Sequence, residues 1–280
     1  MTAFDYAGTT SLVTGASSGL GEQFARQLAA RGSNLVLVAR SADRLGALAG
    51  ELRAQHPVTV TCVPADLSLA DQVSRVAALA ATTEVGVLVN NAGFGTYGSF
   101  AELDADREHA EMMVNAVAGV DLAHAVLPGM LARRHGGIIT VASSIAFQPS
   151  PGQAVYGATK AFALAFSEAL WTETRGTGVR ILALCPGPVA TGFLASLGDQ
   201  ATTSRIYRRT ADPADIVKAG LRGFDHDAMT VIPGLRTRLM AQGHRFFPRT
   251  VMARMTGKML APSQATHDDR PQAPRHTTRP

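Results

Sequence analysis

The chain has 280 residues, 46% of them hydrophobic and 17% charged, which excludes a disordered polymer and supplies one large domain with enough apolar material for a core. Nine of the 26 Lys/Arg but only two of the 22 Asp/Glu lie from Arg236 onward, so the body is slightly acidic despite a net charge of +4. A nucleic-acid partner, which needs positive charge on the folded face that meets phosphates, is not expected. Cys62 and Cys185 sit in separate apolar runs, which excludes a disulfide scaffold and a zinc site of CxxC type, so no metal and a reducing, cytoplasmic setting are expected. The N-terminus shows no basic-then-apolar leader pattern, and no segment reaches the ~18 uninterrupted apolar residues of a membrane span.

Short β-branched runs alternate with longer segments of helical period along the chain. Strands are expected at Thr10–Thr14, Asn34–Ala39, Val58–Val63, Val85–Asn90, Gly137–Ala142, Val179–Leu184 and Met229–Ile232. Helices are expected at Leu20–Arg31, Ala42–Gln55, Ala70–Ala81, Ala105–Arg134 and Ala154–Arg175. Nearly all-apolar strands joined by crossover helices describe an α/β fold with a parallel sheet covered on both faces. Pro128-Gly129 predicts a kink or break in the fourth helix.

The first strand runs into Thr14-Gly15-Ala16-Ser17-Ser18-Gly19-Leu20-Gly21. Glycines at i, i+4 and i+6 depart from GxGxxG but meet the same demand: a tight turn, close backbone approach to a pyrophosphate, and a helix N-terminus facing the anion. The second strand ends without an acid and runs into Arg40, with Arg44 close behind. A carboxylate at that place would bind a ribose 2′-hydroxyl, whereas a guanidinium attracts a 2′-phosphate, so NADP(H) is the expected cofactor. Asp66 follows the third strand, where it could accept from an adenine amino group or cap the next helix. Asn90-Asn91-Ala92-Gly93 again puts small residues at a strand end.

Tyr156 and Lys160, at i and i+4 of a helix, share one face. A phenol of pKa ~10 is a poor acid-base group at neutral pH, and a neighbouring ammonium that stabilises the phenolate corrects this. The chain has only three lysines, and position 160 uses the compact head that can touch both a phenol and a ribose. Ser143, thirteen residues upstream with Ser144 beside it, lies at a strand's carboxyl end and could hydrogen-bond a substrate oxygen. Asn115, inside an apolar helix, needs a polar partner if buried, and a water leading to Lys160 would provide one.

TGASSGLG, NNAG, Asn115, Ser143, the YxxxK pair and Pro186-Gly187, in this order, resemble the classical short-chain dehydrogenase/reductase family over roughly residues 9 to 230. The resemblance implies a Rossmann-like, doubly wound, seven-stranded parallel sheet, and hydride transfer between a nicotinamide and a carbonyl or secondary alcohol. It implies catalytic roles for Asn115 (proton relay), Ser143 (substrate positioning, Ser144 being the alternative), Tyr156 (acid-base) and Lys160 (ribose binding and tuning of Tyr156). The implied cofactor set is Gly15, Ser17, Ser18, Gly19, Leu20, Gly21, Arg40, Asp66, Leu67, Asn91, Ala92, Gly93, Tyr156, Lys160, Pro186, Gly187, Val189 and Thr191. A small-molecule carbonyl or alcohol substrate and a homodimer or homotetramer follow from the same likeness.

Substrate choice is assigned to Phe94–Phe100, Ala146–Gln153 and Gly192–Thr210, where Phe94, Tyr97, Phe147, Phe193 and Leu194 offer apolar surface to a substrate or pack a lid against the core, and Arg205, Arg208 and Arg209 could meet an anionic end. Residues 1–234 form the oxidoreductase domain, 235–260 a basic amphipathic helical extension, and 261–280, with no aliphatic side chain beyond alanine, a disordered tail. The extension could lie on an anionic membrane, but packing on its own domain or a second subunit is the favoured role. Two alternatives stand beside the enzyme: a nucleotide-sensing regulator without turnover and a membrane-surface scaffold.

Overall fold

The computed structural model describes residues 3–193, 197, 210–243 and 246–261. Seven strands form one parallel sheet: β1 (Thr10–Thr14), β2 (Asn34–Ala39), β3 (Val60–Pro64), β4 (Val85–Asn90), β5 (Gly136–Val141), β6 (Val179–Leu184) and β7 (Thr230–Val231), in the order β3-β2-β1-β4-β5-β6-β7. The order reverses between β1 and β4, so the crevice at their carboxyl ends is the place where a doubly wound sheet takes a ligand. β3 starts two residues later than expected and ends on Pro64, which an edge strand tolerates because one side of it makes no ladder hydrogen bonds.

Helices α1 (Gly19–Ala29), α2 (Ala42–Gln55), α3 (Ala70–Thr82), α4 (Ala105–Met112), α5 (Ala118–Arg133) and α6 (Ala154–Glu173) cross over the sheet, followed by α7 (Pro213–Asp225). Strand pleating divides the core in two. Val13, Val87, Val89 and Ile139 pack with Phe24, Leu28 and Phe224 on one face, while Leu12, Leu88 and Ile138 pack with Leu122, Val126 and Met130 on the other.

Helix α7 was absent from the sequence reading although its signals were present. Asp212 caps it by accepting from the Ala214 amide at 2.7 Å, Pro213 occupies its first turn, and Ile216, Val217, Leu221 and Phe224 line one face.

Of the kink or break expected at Pro128, the break does not occur. Helix α5 runs through Pro128 without interruption, because its packing against α3 and the sheet outweighs one missing hydrogen bond. The distortion lies upstream, in a π turn at Met113–Val117 that carries Asn115. Ala105–Arg133 is long and apolar enough to cross a membrane by length and composition, yet here it packs on α3, α6 and the sheet.

The extension is two helices, α8 (Leu235–Gln242) and α9 (Arg249–Leu260), separated at Gly243 and Pro248. Their inner residues Ala241, Met252, Thr256 and Leu260 are buried, whereas Leu235, Leu239, Phe246, Phe247, Val251 and Met255 are exposed, so packing on the chain's own domain covers one side of them. Leu194, Arg205, Arg208, Arg209 and the tail from residue 262 lie outside the described residues.

Candidate active site

The turn after β1 owes its shape to side chains that are missing. Gly15 has φ +65°, and a Cβ there would stand 2.8 Å from Asn91 Nδ2; one on Gly21 would stand 2.2 Å from the Gly15 carbonyl oxygen. Gly19, at φ +58°, opens α1 directly after Ser18, whose side chain makes no cap hydrogen bond, so the first turn's N–H groups are left for an anion. Thr14 joins the two central strands: its hydroxyl donates to the Val89 carbonyl at 3.2 Å and accepts from the Asn91 and Ala92 amides, both at 2.9 Å.

The turn borders a cleft of about 650 Å³ along the carboxyl ends of the strands, within the usual range for cofactor and substrate sites. Of the residues assigned to cofactor and catalysis, Gly15, Ser17, Ser18, Gly19, Leu20, Arg40, Asp66, Leu67, Asn91, Ala92, Gly93, Ser143, Tyr156, Lys160, Pro186, Gly187, Val189 and Thr191 all line it. Gly21 and Asn115 do not. Gly21 packs beneath the turn, where absence of a Cβ allows α1 to approach Gly15. Asn115 stands behind the wall: its amide donates to the Phe94 carbonyl at 2.8 Å and to Thr159 Oγ1 at 3.2 Å, and its Oδ1 accepts from the Phe94 amide at 3.1 Å. These direct bonds fix the Phe94 loop and supply the polar partners that a buried asparagine needs.

Arg40 and Arg44 border one end of the cleft, both exposed. Asp66 is not a helix cap, since α3 begins at Ala70. Its Oδ1 accepts from the Ser68 amide at 2.9 Å and the Ser68 hydroxyl at 2.7 Å. Burial raises the Asp66 carboxyl, but the Ser68 bonds and the nearby Arg40 charge outweigh it and hold the group below the ordinary carboxylate range.

At the other end, Lys160 is buried on α6 and donates from Nζ to the Val141 carbonyl at 2.8 Å, with Nζ 5.8 Å from the centre of the Tyr156 ring. Burial lowers its pKa to about 8, against the pull of Glu111 and Cys185. Glu111 is itself fully buried, and burial pushes its carboxyl up to about 7 even though Thr96 draws it back; neither carboxylate oxygen completes a well-formed hydrogen bond. The sequence reading missed Glu111, although an acid one turn before Asn115 on an apolar helix was a visible signal. It also missed Arg107, which borders the cleft with its guanidinium 5.6 Å from the Phe94 ring centre.

Ser143 and Ser144 both border the cleft. Ser143 Oγ accepts from the Ile145 amide at 3.2 Å, capping a short 3₁₀ turn (Ser144–Phe147), which leaves the hydroxyl proton to point elsewhere. The far wall is apolar. The Tyr156 and Phe193 rings are 5.2 Å apart, and Tyr156 clusters with Ile145 and Leu260. Tyr97 donates to the Leu260 carbonyl at 2.7 Å, so the end of α9 packs behind this wall.

The chain is similar to known proteins. The sulfoacetaldehyde reductase of Chromohalobacter salexigens is 40% identical over 204 residues, covering 71% of this chain and 80% of that protein. The human inactive hydroxysteroid dehydrogenase-like protein 1 is 34% identical over 191 residues, covering 67% of this chain and 58% of that longer protein. A short-chain dehydrogenase from Sphingobium yanoikuyae in complex with NADPH superimposes with a TM-score of 0.79 at 33% identity, over 88% of this chain and 95% of the other. The short chain dehydrogenase family profile matches residues 9–202. With that match, the sheet order and the residues gathered in the cleft, the chain belongs to the classical short-chain dehydrogenase/reductase family of oxidoreductases.

Proposed function

We propose that this protein is an NADP(H)-dependent oxidoreductase acting on a carbonyl or secondary alcohol with an apolar body. The observation that carries the reading is the convergence of Ser143, Tyr156 and Lys160 on the cleft that also holds the glycine turn. The bound nicotinamide would supply or accept the hydride. The chain's residues do the rest. Gly15, Ser17, Ser18 and Gly19 would hold the pyrophosphate, with Asn91, Ala92 and Gly93 opposite them, and Arg40 with Arg44 would meet a 2′-phosphate. Lys160 would bind the ribose hydroxyls and favour the Tyr156 phenolate. Tyr156 would give its proton to the substrate oxygen, which Ser143 holds by a hydrogen bond, while Asn115 acts as a positioning residue that fixes the Phe94 loop.

NADP(H) rather than NAD(H) is supported by Arg40 at the end of β2 and by the NADPH complex of the Sphingobium relative. An apolar substrate is supported by Phe94, Ile145 and Phe193 in the cleft wall. A homodimer or homotetramer is supported by Met112, Val117 and Phe162, large apolar side chains left exposed along α4 to α6. Two free cysteines support the cytoplasm. A reading without turnover draws on the inactive human relative, but Tyr156, Lys160, Ser143 and Asn115 are all retained in this chain.

The test is Tyr156→Phe assayed on a panel of ketones and aldehydes by NADPH absorbance. The expected result is near-normal NADPH binding with turnover reduced at least ~100-fold, the scale of a lost proton-transfer group. Full turnover by the variant, or no turnover by the wild type on any carbonyl, would refute the proposal.

A further inference from the structure

The last two helices turn hydrophobic side chains outward in a repeated pattern. On α8, Leu235 and Leu239 are 75% and 64% exposed, and the exposed Arg238 shares their face at i, i+3, i+4 spacing. Helix α9 repeats this with Val251, Arg254 and Met255, then adds Lys258 one turn on, all four exposed. Phe246, 80% exposed, stands between the helices. The pattern does not come from helices that failed to dock. Their opposite faces are seated, with Met252 and Leu260 buried and Gly257 against Pro151.

An apolar surface of this extent facing water marks an interaction site, and its charge narrows the partner. Residues 235–260 contain six Lys/Arg and no Asp/Glu. A nucleic acid would pair with the cations but leave leucine, phenylalanine and methionine in water. A second copy meeting this face about a two-fold axis would set the arginines near their own equivalents. An anionic bilayer satisfies both kinds of side chain, because apolar groups enter the acyl boundary while arginine stems reach back to the headgroup phosphates. We propose that this face docks the protein on an anionic lipid bilayer, with Leu235, Leu239, Phe246, Val251 and Met255 entering the interface and the adjacent cations meeting headgroups. The seated side of α9 packs through Leu260 against Ile145 and Tyr156 of the cleft wall, so docking holds that wall on the membrane-facing side of the protein. The proposal needs no turnover and stands apart from the catalytic reading.

The experiment is co-sedimentation of the full chain with phosphatidylcholine vesicles, with and without phosphatidylserine. Wild-type protein is expected to pellet with the phosphatidylserine vesicles, to stay in solution with phosphatidylcholine alone, and to be released by salt. Leu239→Glu with Phe246→Glu should abolish pelleting with an unchanged melting temperature, since both side chains are exposed. Arg238→Ala with Arg254→Ala should weaken vesicle affinity roughly 25-fold, at about fivefold per cation near an anionic leaflet. Wild-type protein that stays in solution with both vesicles, or pelleting that neither double variant alters, would overturn the proposal. So would sedimentation velocity showing an oligomer that the glutamate variants dissociate, without vesicle binding, because a second copy would then cover the face.

Discussion

Replacing Lys160 by methionine should make the protein more stable at neutral pH while abolishing its turnover. The ammonium is buried, and burial brings its pKa from 10.5 to about 8. At pH 7 the folded state thus carries a charged group that it disfavours by about 3 kcal/mol, from 1.36 kcal/mol per pKa unit. Methionine removes this penalty and fills a similar volume, at the loss of the bond to the Val141 carbonyl, worth about 1 kcal/mol. The net expectation is about 2 kcal/mol of stabilisation. The sign follows from linkage: the folded pKa lies below the unfolded one, so the unfolded chain binds more protons and the wild type gains stability as pH rises from about 8 to about 10.5. The variant lacks this gain, and its advantage should vanish across that window. Urea unfolding of both proteins at pH 7, 9 and 10.5 measures the difference, with other titrations cancelling between them. A Lys160→Met protein less stable than wild type at pH 7, or an advantage independent of pH, would refute the reasoning. Either result would mean that Glu111 and the hydrogen bond outweigh the cost of burying the charge.

Arg40→Glu should weaken NADPH binding at least roughly tenfold, the scale of one lost charge-assisted contact, with little effect on NADH; fluorescence titration of both nucleotides checks this, and parallel losses would remove Arg40 from the choice of cofactor. Gly21→Ala drives a Cβ to within 2.2 Å of the Gly15 carbonyl, so thermal unfolding should show a loss of about 1–3 kcal/mol, with weaker nucleotide binding although Gly21 does not border the cleft. Ser143→Ala should lower kcat on the best substrate of the panel by at least ~10-fold, as expected for one donor to a developing oxyanion, whereas Ser144→Ala should change it little; the reverse order would transfer the role to Ser144.

Most of this site was legible because its chemistry rests on local rules. Glycine at a tight turn, small residues at two strand ends, and tyrosine with lysine one helical turn apart each impose their geometry within a few residues. The reading failed where a side chain's partner comes from far along the chain. Asn115 was recognised as a polar residue needing a partner, but only packing of the π turn against the Phe94 loop and α6 shows that Phe94 and Thr159 satisfy it. Asp66 was left open between an adenine contact and a helix cap; the structure removes the cap, since α3 starts at Ala70, and keeps Asp66 on the cleft.

The amino-acid sequence by itself determined the strand–helix alternation and the parallel sheet, because apolar period and turn chemistry act over neighbouring positions, and its resemblance to a known family pointed to the residues that gather at the sheet's carboxyl edge. Tertiary structure alone decided which of those residues face the cleft, that α5 continues through Pro128, that Glu111 is buried near Lys160, and that Leu260 packs behind the cleft wall while Leu235 and Phe246 remain in water. These depend on which surfaces meet when helices distant in the chain pack together, and burial, unlike periodicity, is a property of that meeting.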